Sequence, residues 1–332
     1  MTGFNEADVL PSTVGALLRE GVDVHYIDNW STDATARAVS EMQRGLELRR
    51  SRLEARRRRS RAPSKAAPLL AKLTYERFPA DGPTGSYDWG NILRRKEALS
   101  EELADADWVI HCDPDEIRES PWGPSVPLRR AVYIAQVLGF NQINFNNLVV
   151  FRPVVGQTWP HTTANAAKAK GAGLKESFVH YDKKGLEYDR NRQIKGWRRK
   201  FPRGALRGEA VSVDLASSGG HEAKFRSPAW LSGRVMPWSF VLRHYPIRSQ
   251  AHGVRKVFTE RKNRWNATER KAAWHAQYDD VTNASHSFVV DSSTLAHAPR
   301  GILPPAIYAQ DVPCMEDFFK QQEGEKAGGT PR

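Results

Sequence analysis

The chain has 332 residues, of which 40% are hydrophobic and 27% charged, and its formal net charge is +12. This globular composition is sufficient for one large domain or two small ones. It holds no apolar run near the ~18 residues of a membrane-spanning helix, no signal-peptide pattern, and only Cys112 and Cys314, which argues against a disulfide framework and fits a reducing cytoplasm.

Strand-like and helix-like patterns alternate over residues 1–150. Hydrophobic periodicity predicts helices over 6–20, 34–50, 88–103 and 126–138, and strands over 22–27, 73–78, 108–112 and 141–151. This order is typical of an α/β fold with a mostly parallel sheet flanked by helices. Ligands of such sheets bind beyond the carboxyl ends of the strands, where Asp28 and Asp113 follow.

Most of the excess positive charge lies in one segment. Arg49–Arg61 holds eight arginines and one glutamate, which supply +7 of the net +12. Basic segments of this kind can bind nucleic acid, membrane surfaces or acidic substrates. The segment has three interpretations, namely a solvated helix, which we favour, a peripheral contact with anionic membrane, or a nucleic-acid contact. Because one arm explains the charge, no specific nucleic acid is expected.

The pattern is less regular after residue 152. A loop rich in Thr, Ala, Lys and Gly is predicted over 157–173, a strand over 238–245 and a long charged helix over 250–277. The predicted organisation is a sheet domain over 1–250, interrupted by an arginine-rich helical insertion over 43–70, a C-terminal helical extension over 251–320 and a disordered tail over 321–332.

The segment Ala106–Ile117 is the most informative part of the chain. A short apolar stretch ends in Asp113 and Asp115, which a single proline separates. In an extended strand these positions share one face, so both carboxylates would point the same way. Magnesium and manganese take oxygen ligands of this kind, and magnesium often uses one or two carboxylates with substrate phosphates. A surface turn is the alternative interpretation.

Several motifs in order resemble family 2 glycosyltransferases, which have the GT-A fold. The motifs are Phe4-Asn-Glu6, the run Val24–Thr35, the metal-motif-like Asp107–Ile117, and, as in a bacterial subgroup, Gln193–Phe201, Gly219–Glu222 and Leu242–Ser249. The resemblance covers about residues 3–265 and implies a GT-A-like, mostly parallel central sheet. Family members usually begin with a longer hydrophobic strand, whereas only Met1–Phe4 precede Asn5 here, so the first strand is expected to be very short or missing.

The resemblance implies a nucleoside pocket and a metal site. Asn5, Glu6 and Asp28 would line the nucleoside pocket, although Asp28 also suits a loop or capping acid and Glu6 a first-turn helix acid. The metal, Mn²⁺ or Mg²⁺, would be held by Asp113 and Asp115.

Two histidines are further candidate metal ligands. His244 lies at the end of the predicted strand over 238–245, and His221 lies in a glycine-flanked turn. A structural histidine is the alternative interpretation of each.

Basic residues near these motifs are candidates for phosphate binding. Lys195, Arg248 and Lys256 are proposed, together with Arg95 or Lys96 on the helix before the metal strand. Arginine suits bidentate phosphate binding and lysine acts as a point charge. A solvated basic face is the alternative for each.

Two carboxylates are assigned catalytic roles. Asp115 would hold the metal, and the metal would act as a Lewis acid at the leaving group. If the reaction inverts the anomeric carbon, Glu222 would be the general base for the acceptor hydroxyl, with Asp214 and Asp189 as rivals.

Taken together, the sequence predicts a metal-dependent glycosyltransferase. It would use a nucleoside-diphosphate-sugar donor and a glycan, lipid-linked or small-molecule acceptor, in the cytoplasm or at the inner face of the membrane. A nucleotidyltransferase is the competing enzyme class, but it usually shows a Gly-rich basic loop after its first strand, unlike Gly3–Glu6. A basic polyanion-binding protein is the non-enzymatic alternative.

Overall fold

The computed structural model describes residues 1–59, 70–103, 106–157, 174–182, 193–199, 201, 211–264, 271 and 281–308. Its α-helices are α1 (Leu10–Arg19), α2 (Thr35–Arg59), α3 (Trp89–Glu102), α4 (Leu128–Val137), α5 (Leu174–Ser177), α6 (Gln250–Val254) and α7 (Pro305–Tyr308), and a π-helical segment (Arg255–Arg261) continues α6. Its strands are β1 (Thr2–Gly3), β2 (Val24–Asp28), β3 (Leu73–Arg77), β4 (Trp108–Ile110), β5 (Glu116–Glu119), β6 (Gln142–Ile143), β7 (Asn147–Val150), β8 (His180–Tyr181), β9 (Gly196–Arg198), β10 (Ser212–Asp214), β11 (Lys224–Ser227), β12 (Val241–His244) and β13 (Ala296–His297). The fold is mixed α/β.

The described strands form small sheets of mixed direction. β1, β2 and β3 are parallel, with Thr2 opposite Ile27 and Val24 opposite Leu73. β12 lies between β5 and β7, antiparallel to β5 and parallel to β7. β9 lies between β4 and β6 and is antiparallel to both. A mostly parallel central sheet is therefore not shown, and the fully parallel part is the sheet of β1, β2 and β3.

Local sequence signals explain where the helices that frame the site begin. Pro11 lies in the first turn of α1, where its missing amide hydrogen costs nothing. The Asp88 carboxylate accepts a hydrogen bond from the Asn91 amide at 2.9 Å and caps α3. The Ser249 hydroxyl accepts one from the His252 amide at 3.1 Å and caps α6.

The main core packs α1, α2 and α4 against β2 and the strands around β6. Its largest fully buried members include Tyr26, Phe145, Trp238 and Phe240. The rings of Phe145 and Phe240 meet edge to face with centroids 5.3 Å apart. This core packs against the ends of β1 and β4, which lie next to the cavity described in the following subsection.

β1 is short, as the sequence predicts, and it passes close to the aspartate motif. A Cβ atom built on Gly3 would lie 2.5 Å from both Pro114 and the Tyr26 hydroxyl. Only glycine fits there without movement of its neighbours. The close approach places the end of β1 against the turn that carries Asp113 and Asp115.

Several predicted elements have different limits in the structure. β4 is half-buried and ends at Ile110, before Cys112. The strand predicted over 141–151 is two strands, because the chain turns away after Ile143 and the Phe145 amide donates to the Gln193 carbonyl at 2.9 Å.

The C-terminal part also differs from the expected long helix. The predicted helix over 250–277 is α-helical to Val254 and π-helical to Arg261, and residues 265–270 and 272–280 lie outside the described ranges. Within the predicted helical extension, β13 is a strand, and it pairs with β8 (His180–Tyr181). The predicted tail over 321–332 and most of the predicted loop over 157–173 also lie outside the described residues.

The arginine-rich insertion is helical as far as the description extends. α2 continues unbroken to Arg59, and residues 60–69 are not described. None of the helices in the described ranges combines the length and the apolarity that crossing a bilayer requires.

Candidate functional site

Asp113 and Asp115 lie in the turn between β4 and β5. The prediction that they share one face of an extended strand is wrong in its geometry, because β4 ends at Ile110 and a turn follows at Pro114. Both residues nevertheless line one cavity of about 400 Å³. The turn thus brings the two side chains to one site by a different route.

The cavity lies where β1, the β4–β5 turn, β12 and the π-helical segment meet. Its charged lining residues are Glu6, Asp113, Asp115, Glu116 and Glu260 together with Lys195, Lys256, Arg261 and Arg264. Acidic and basic groups are therefore nearly balanced around it. Such a lining can bind a polar ligand that itself carries charge of both kinds, such as a phosphate group with a cation.

On one side of the cavity, Asp115 is paired with a buried lysine. Lys256 Nζ donates to Asp115 Oδ2 and to the Pro246 carbonyl, both at 2.9 Å, and lies 3.9 Å from Glu6 Oε1. His244 Nε2 is 3.7 Å from the same Asp115 oxygen. Burial alone would raise the pKa of Asp115, but Lys256 and His244 hold it well below its usual value. Asp115 is therefore ionised at neutral pH.

On the other side, Asp113 faces a second buried lysine and a histidine. Lys96 Nζ lies 3.6 Å and His111 Nε2 3.9 Å from Asp113 Oδ1. Burial would raise the pKa of Asp113, but Lys96 and Lys195 outweigh it and hold the pKa low. Burial, with Lys96 nearby, lowers the pKa of His111 well below 6.5, so its imidazole is neutral at pH 7.

Glu116 connects the turn to a third buried lysine. Its carboxylate pairs with the Arg118 guanidinium, accepts from the Asp113 amide at 3.0 Å, and lies 3.4 Å from Lys195 Nζ. Arg118 also packs over the Phe145 ring, with Cζ 4.5 Å from the centroid. These contacts hold the turn that carries Asp113 and Asp115 in one conformation.

The π-helical segment forms one wall of the cavity. It supplies Lys256 to Asp115, and Glu260 Oε1 accepts a hydrogen bond from Asn5 Nδ2 at 2.8 Å. Arg261 lies over the Tyr87 ring, 5.1 Å from its centroid. π-helical turns are rare and occur often at functional sites.

Aromatic rings form the wall beside α3. Tyr87 and Trp89 stack with centroids 6.0 Å apart, and Trp89 Nε1 donates to the Gly219 carbonyl at 2.9 Å. Arg264 packs over Phe4, with Cζ 4.0 Å from the ring centroid. This wall removes one side of the cavity from bulk water.

The predicted nucleoside-pocket residues are only partly in the cavity. Glu6 lines it, whereas Asn5 and Asp28 do not. Asn5 adopts a left-handed conformation (φ 56°) and its Oδ1 accepts from the Thr32 amide at 2.8 Å. The buried Asp28 carboxylate accepts from the Ser31 amide at 2.9 Å and the Tyr75 hydroxyl at 2.7 Å. These two residues order the loop after β2, so Asp28 acts as a loop acid and does not cap α2, which begins at Thr35.

Two of the predicted phosphate-binding arginines are committed to carboxylates elsewhere. Arg248 is fully buried and donates to Glu6 Oε2 at 2.6 Å and to both oxygens of Asp8. Arg95 donates to Glu76 and Glu102 on the outer side of α3. Neither arginine lines the cavity. The predicted basic residues that meet the aspartate turn are Lys195 and Lys256, together with Lys96, the alternative to Arg95.

The turn that contains His221 packs against Trp89, whose Nε1 donates to the Gly219 carbonyl. His221 is exposed, lines the cavity, and its Nδ1 is 3.0 Å from the Gln193 amide nitrogen. Glu222 follows it but is not a lining residue, and its backbone is held by the Ser218 hydroxyl. Asp214 accepts from the Ser217 amide outside the cavity, and Asp189 is not described.

Sequence patterns did not single out several lining residues. The sequence assigns His111 to a strand, Trp89 to a helix, and Arg261 and Arg264 to the long charged helix over 250–277. The one available signal was their position beside the aspartate motif or on the charged face of the helix after Leu242–Ser249.

No known protein-family model matches the chain, and no curated protein sequence matches it either.

Proposed function

We propose that the protein is a metal-dependent glycosyltransferase that moves a sugar from a nucleoside-diphosphate-sugar donor to an acceptor hydroxyl. The observation that carries this proposal is the meeting of Asp113 and Asp115 in one cavity with Lys195 and Lys256. Carboxylates suit a divalent cation and ammonium groups suit phosphate oxygens. A nucleoside diphosphate requires both together.

We also propose that the fold is of the GT-A kind. The parallel sheet of β1, β2 and β3 supports this, since each of its outer strands pairs with the strand that ends in Asp28. The aspartate turn lies against the end of β1, in contact with Gly3. Ligands of α/β sheets bind at such strand ends.

The proposed metal is Mn²⁺ or Mg²⁺, and the residues present fit it. Within the described part of the chain no three His, Cys, Asp or Glu side chains already converge as a metal-binding group. Magnesium, however, needs only one or two protein carboxylates when substrate phosphates complete its shell. Asp113 and Asp115 would hold it, with His244 beside Asp115; the metal role predicted for His221 stays a prediction. When bound, the cation would neutralise charge on the departing diphosphate.

The chain's own residues would perform the remaining steps. Lys256 and Lys195 would exchange their carboxylate contacts for phosphate oxygens as the donor enters. Trp89 and its stacked partner Tyr87 would keep water from the sugar–phosphate bond. The general-base role predicted for Glu222 stays a prediction, because Glu222 follows His221 in the chain but does not line the cavity.

The test is donor cleavage by the purified full chain. Manganese and a panel of nucleoside-diphosphate sugars are supplied, and nucleoside-diphosphate release is measured for wild type, Asp113→Asn and Asp115→Asn. Asp291→Asn, an exposed aspartate outside the cavity, is the matched control. We expect release from at least one donor, lost in both cavity variants and kept in the control. No release from any donor, or equal release in all four proteins, overturns the proposal.

A further inference from the structure

Two histidines face each other where the C-terminal part of the chain pairs with the strand after α5. β8 and β13 are antiparallel, and His180 lies directly opposite His297. The next pair along is hydrogen-bonded, since the Ala298 amide donates to the Val179 carbonyl at 2.7 Å. Hydrogen-bonded and non-hydrogen-bonded pairs alternate along an antiparallel ladder, and side chains lie closest in the second kind. The strand register therefore sets the two imidazoles side by side on one face.

The spacing of the two rings suits a shared metal ion. Their centroids are 5.0 Å apart and their planes are inclined at 47°. With Zn–N bonds of about 2.0–2.1 Å and an N–Zn–N angle of about 90–110°, two imidazoles on one ion have centroids about 4.5–5.2 Å apart. The observed separation falls within this range. Both rings could thus contact one ion without movement of the strands.

The ring nitrogens are available to such an ion. Neither imidazole makes a hydrogen bond or an ion pair with any residue that the structure describes. His297 is exposed and His180 half-buried, so an ion can reach the pair from solvent. Burial and the neighbouring His297 lower the pKa of His180 below 6.5. Its imidazole is therefore neutral at pH 7, which is the form that binds metals.

The donor type selects the class of ion. Imidazole nitrogen suits zinc, copper and nickel, whereas magnesium and calcium prefer oxygen. Among the described residues no third His, Cys, Asp or Glu converges with the pair, so water would complete the coordination shell. Neither histidine lines the cavity. The pair is therefore separate from the magnesium or manganese site considered above.

We propose that His180 and His297 together bind one divalent transition-metal ion of the zinc class between β8 and β13. The ion would join two segments of the chain that are more than a hundred residues apart, and it would stabilise their pairing because it binds the folded state alone. This site requires neither a nucleotide sugar nor turnover. It stands or falls independently of the transferase proposal.

The experiment titrates zinc chloride into the full chain and counts bound zinc by calorimetry. The variants are His180→Gln and His297→Gln, and the matched control is His286→Gln, an exposed histidine outside the pair. Zinc bound elsewhere is common to all four proteins, so the difference isolates the pair. Loss of even an outer partner of a metal ligand weakens binding 10–100-fold, so each variant should lose this site or bind at least about tenfold more weakly. The control should match wild type, and excess magnesium should not displace the ion.

Thermal unfolding provides a second measurement that depends on the same contact. Zinc should raise the Tm of wild type and of His286→Gln more than that of His297→Gln, whose exposed side chain can be replaced without disturbing the core. Equal zinc binding by wild type and both pair variants overturns the proposal. An equal loss in His286→Gln also overturns it, because that result identifies nonspecific binding to surface histidines.

Discussion

Basic side chains have different surroundings in the cavity and along α2. Around the aspartate turn, Lys96, Lys195 and Lys256 are almost fully buried and lie 3.6, 3.4 and 2.9 Å from a carboxylate oxygen, and Lys195 and Lys256 line the cavity. Along the second half of α2, arginines such as Arg49 and Arg50 are exposed to solvent. The cavity groups are fixed by their partners, whereas the helix groups are hydrated.

Most of the net charge and the candidate site therefore lie in different parts of this molecule. The segment containing the end of α2 supplies most of the net +12, yet exposed charges of that kind contribute little to stability. The cavity is nearly neutral overall, but Asp115, Glu116, Lys195 and Lys256 are buried there, and removal of one partner of a buried ion pair costs more than removal of a solvated charge. Variants in the two regions should therefore behave differently.

The largest effect on stability is expected at Arg248. Arg248→Met removes the buried guanidinium that donates to the carboxylates of Glu6 and Asp8, which should lower the free energy of unfolding by about 3–5 kcal/mol. Urea denaturation measures it. The control is Arg37→Met on α2, where the exposed arginine is 3.8 Å from Glu41. Equal losses in the two variants would contradict the comparison.

A smaller effect is expected from acid. Burial would raise the pKa of Glu119, but Arg243 and Lys175 hold it below the ordinary value. A carboxylate with a lowered folded-state pKa stabilises the protein above its unfolded pKa of about 4.3, and that stability is lost as pH falls further. Glu119→Gln should therefore be less stable than wild type at pH 6, with the difference shrinking towards pH 3. A constant difference across that range would show that the charge of Glu119 is not involved.

The smallest effect is expected on α2. Replacing Arg49, Arg50 and Arg52 with glutamine should change the unfolding free energy by less than about 0.5 kcal/mol per site, because the side chains are exposed. Thermal and urea denaturation give the value, and a larger loss would mean that these arginines have structural partners. Sedimentation with anionic and neutral vesicles, before and after the replacement, distinguishes a solvated helix from a membrane contact.

Local structure was the part most accessible to sequence reasoning. The periodicity predicted helix 88–103, and α3 runs from Trp89 to Glu102 with Asp88 as its cap. Strand partners were not accessible, because β12 enters between β5 and β7 from far along the chain. Alternation of strand and helix predicted parallel neighbours, and these long-range insertions gave mixed directions instead.

For the site, likewise, the motifs were predictable from the sequence and the long-range partners were not. The aspartate motif located the turn, and the motif segments brought Lys195, His221 and His244 to the cavity lining. Which acid binds which cation was not predictable, because Arg248 is set by Glu6 and Asp8 across more than two hundred residues of chain. The same holds for Lys256, whose position depends on the π-helical geometry of its segment.

The most direct test of the account is the manganese-dependent release of nucleoside diphosphate by wild type and Asp115→Asn. The account predicts release from at least one donor sugar, reduced about a hundredfold or more in the variant, which corresponds to about 2.7 kcal/mol of lost transition-state stabilisation. Addition of EDTA should abolish the wild-type rate. Release that is unaffected by both EDTA and the substitution, or no release from any donor, would contradict it.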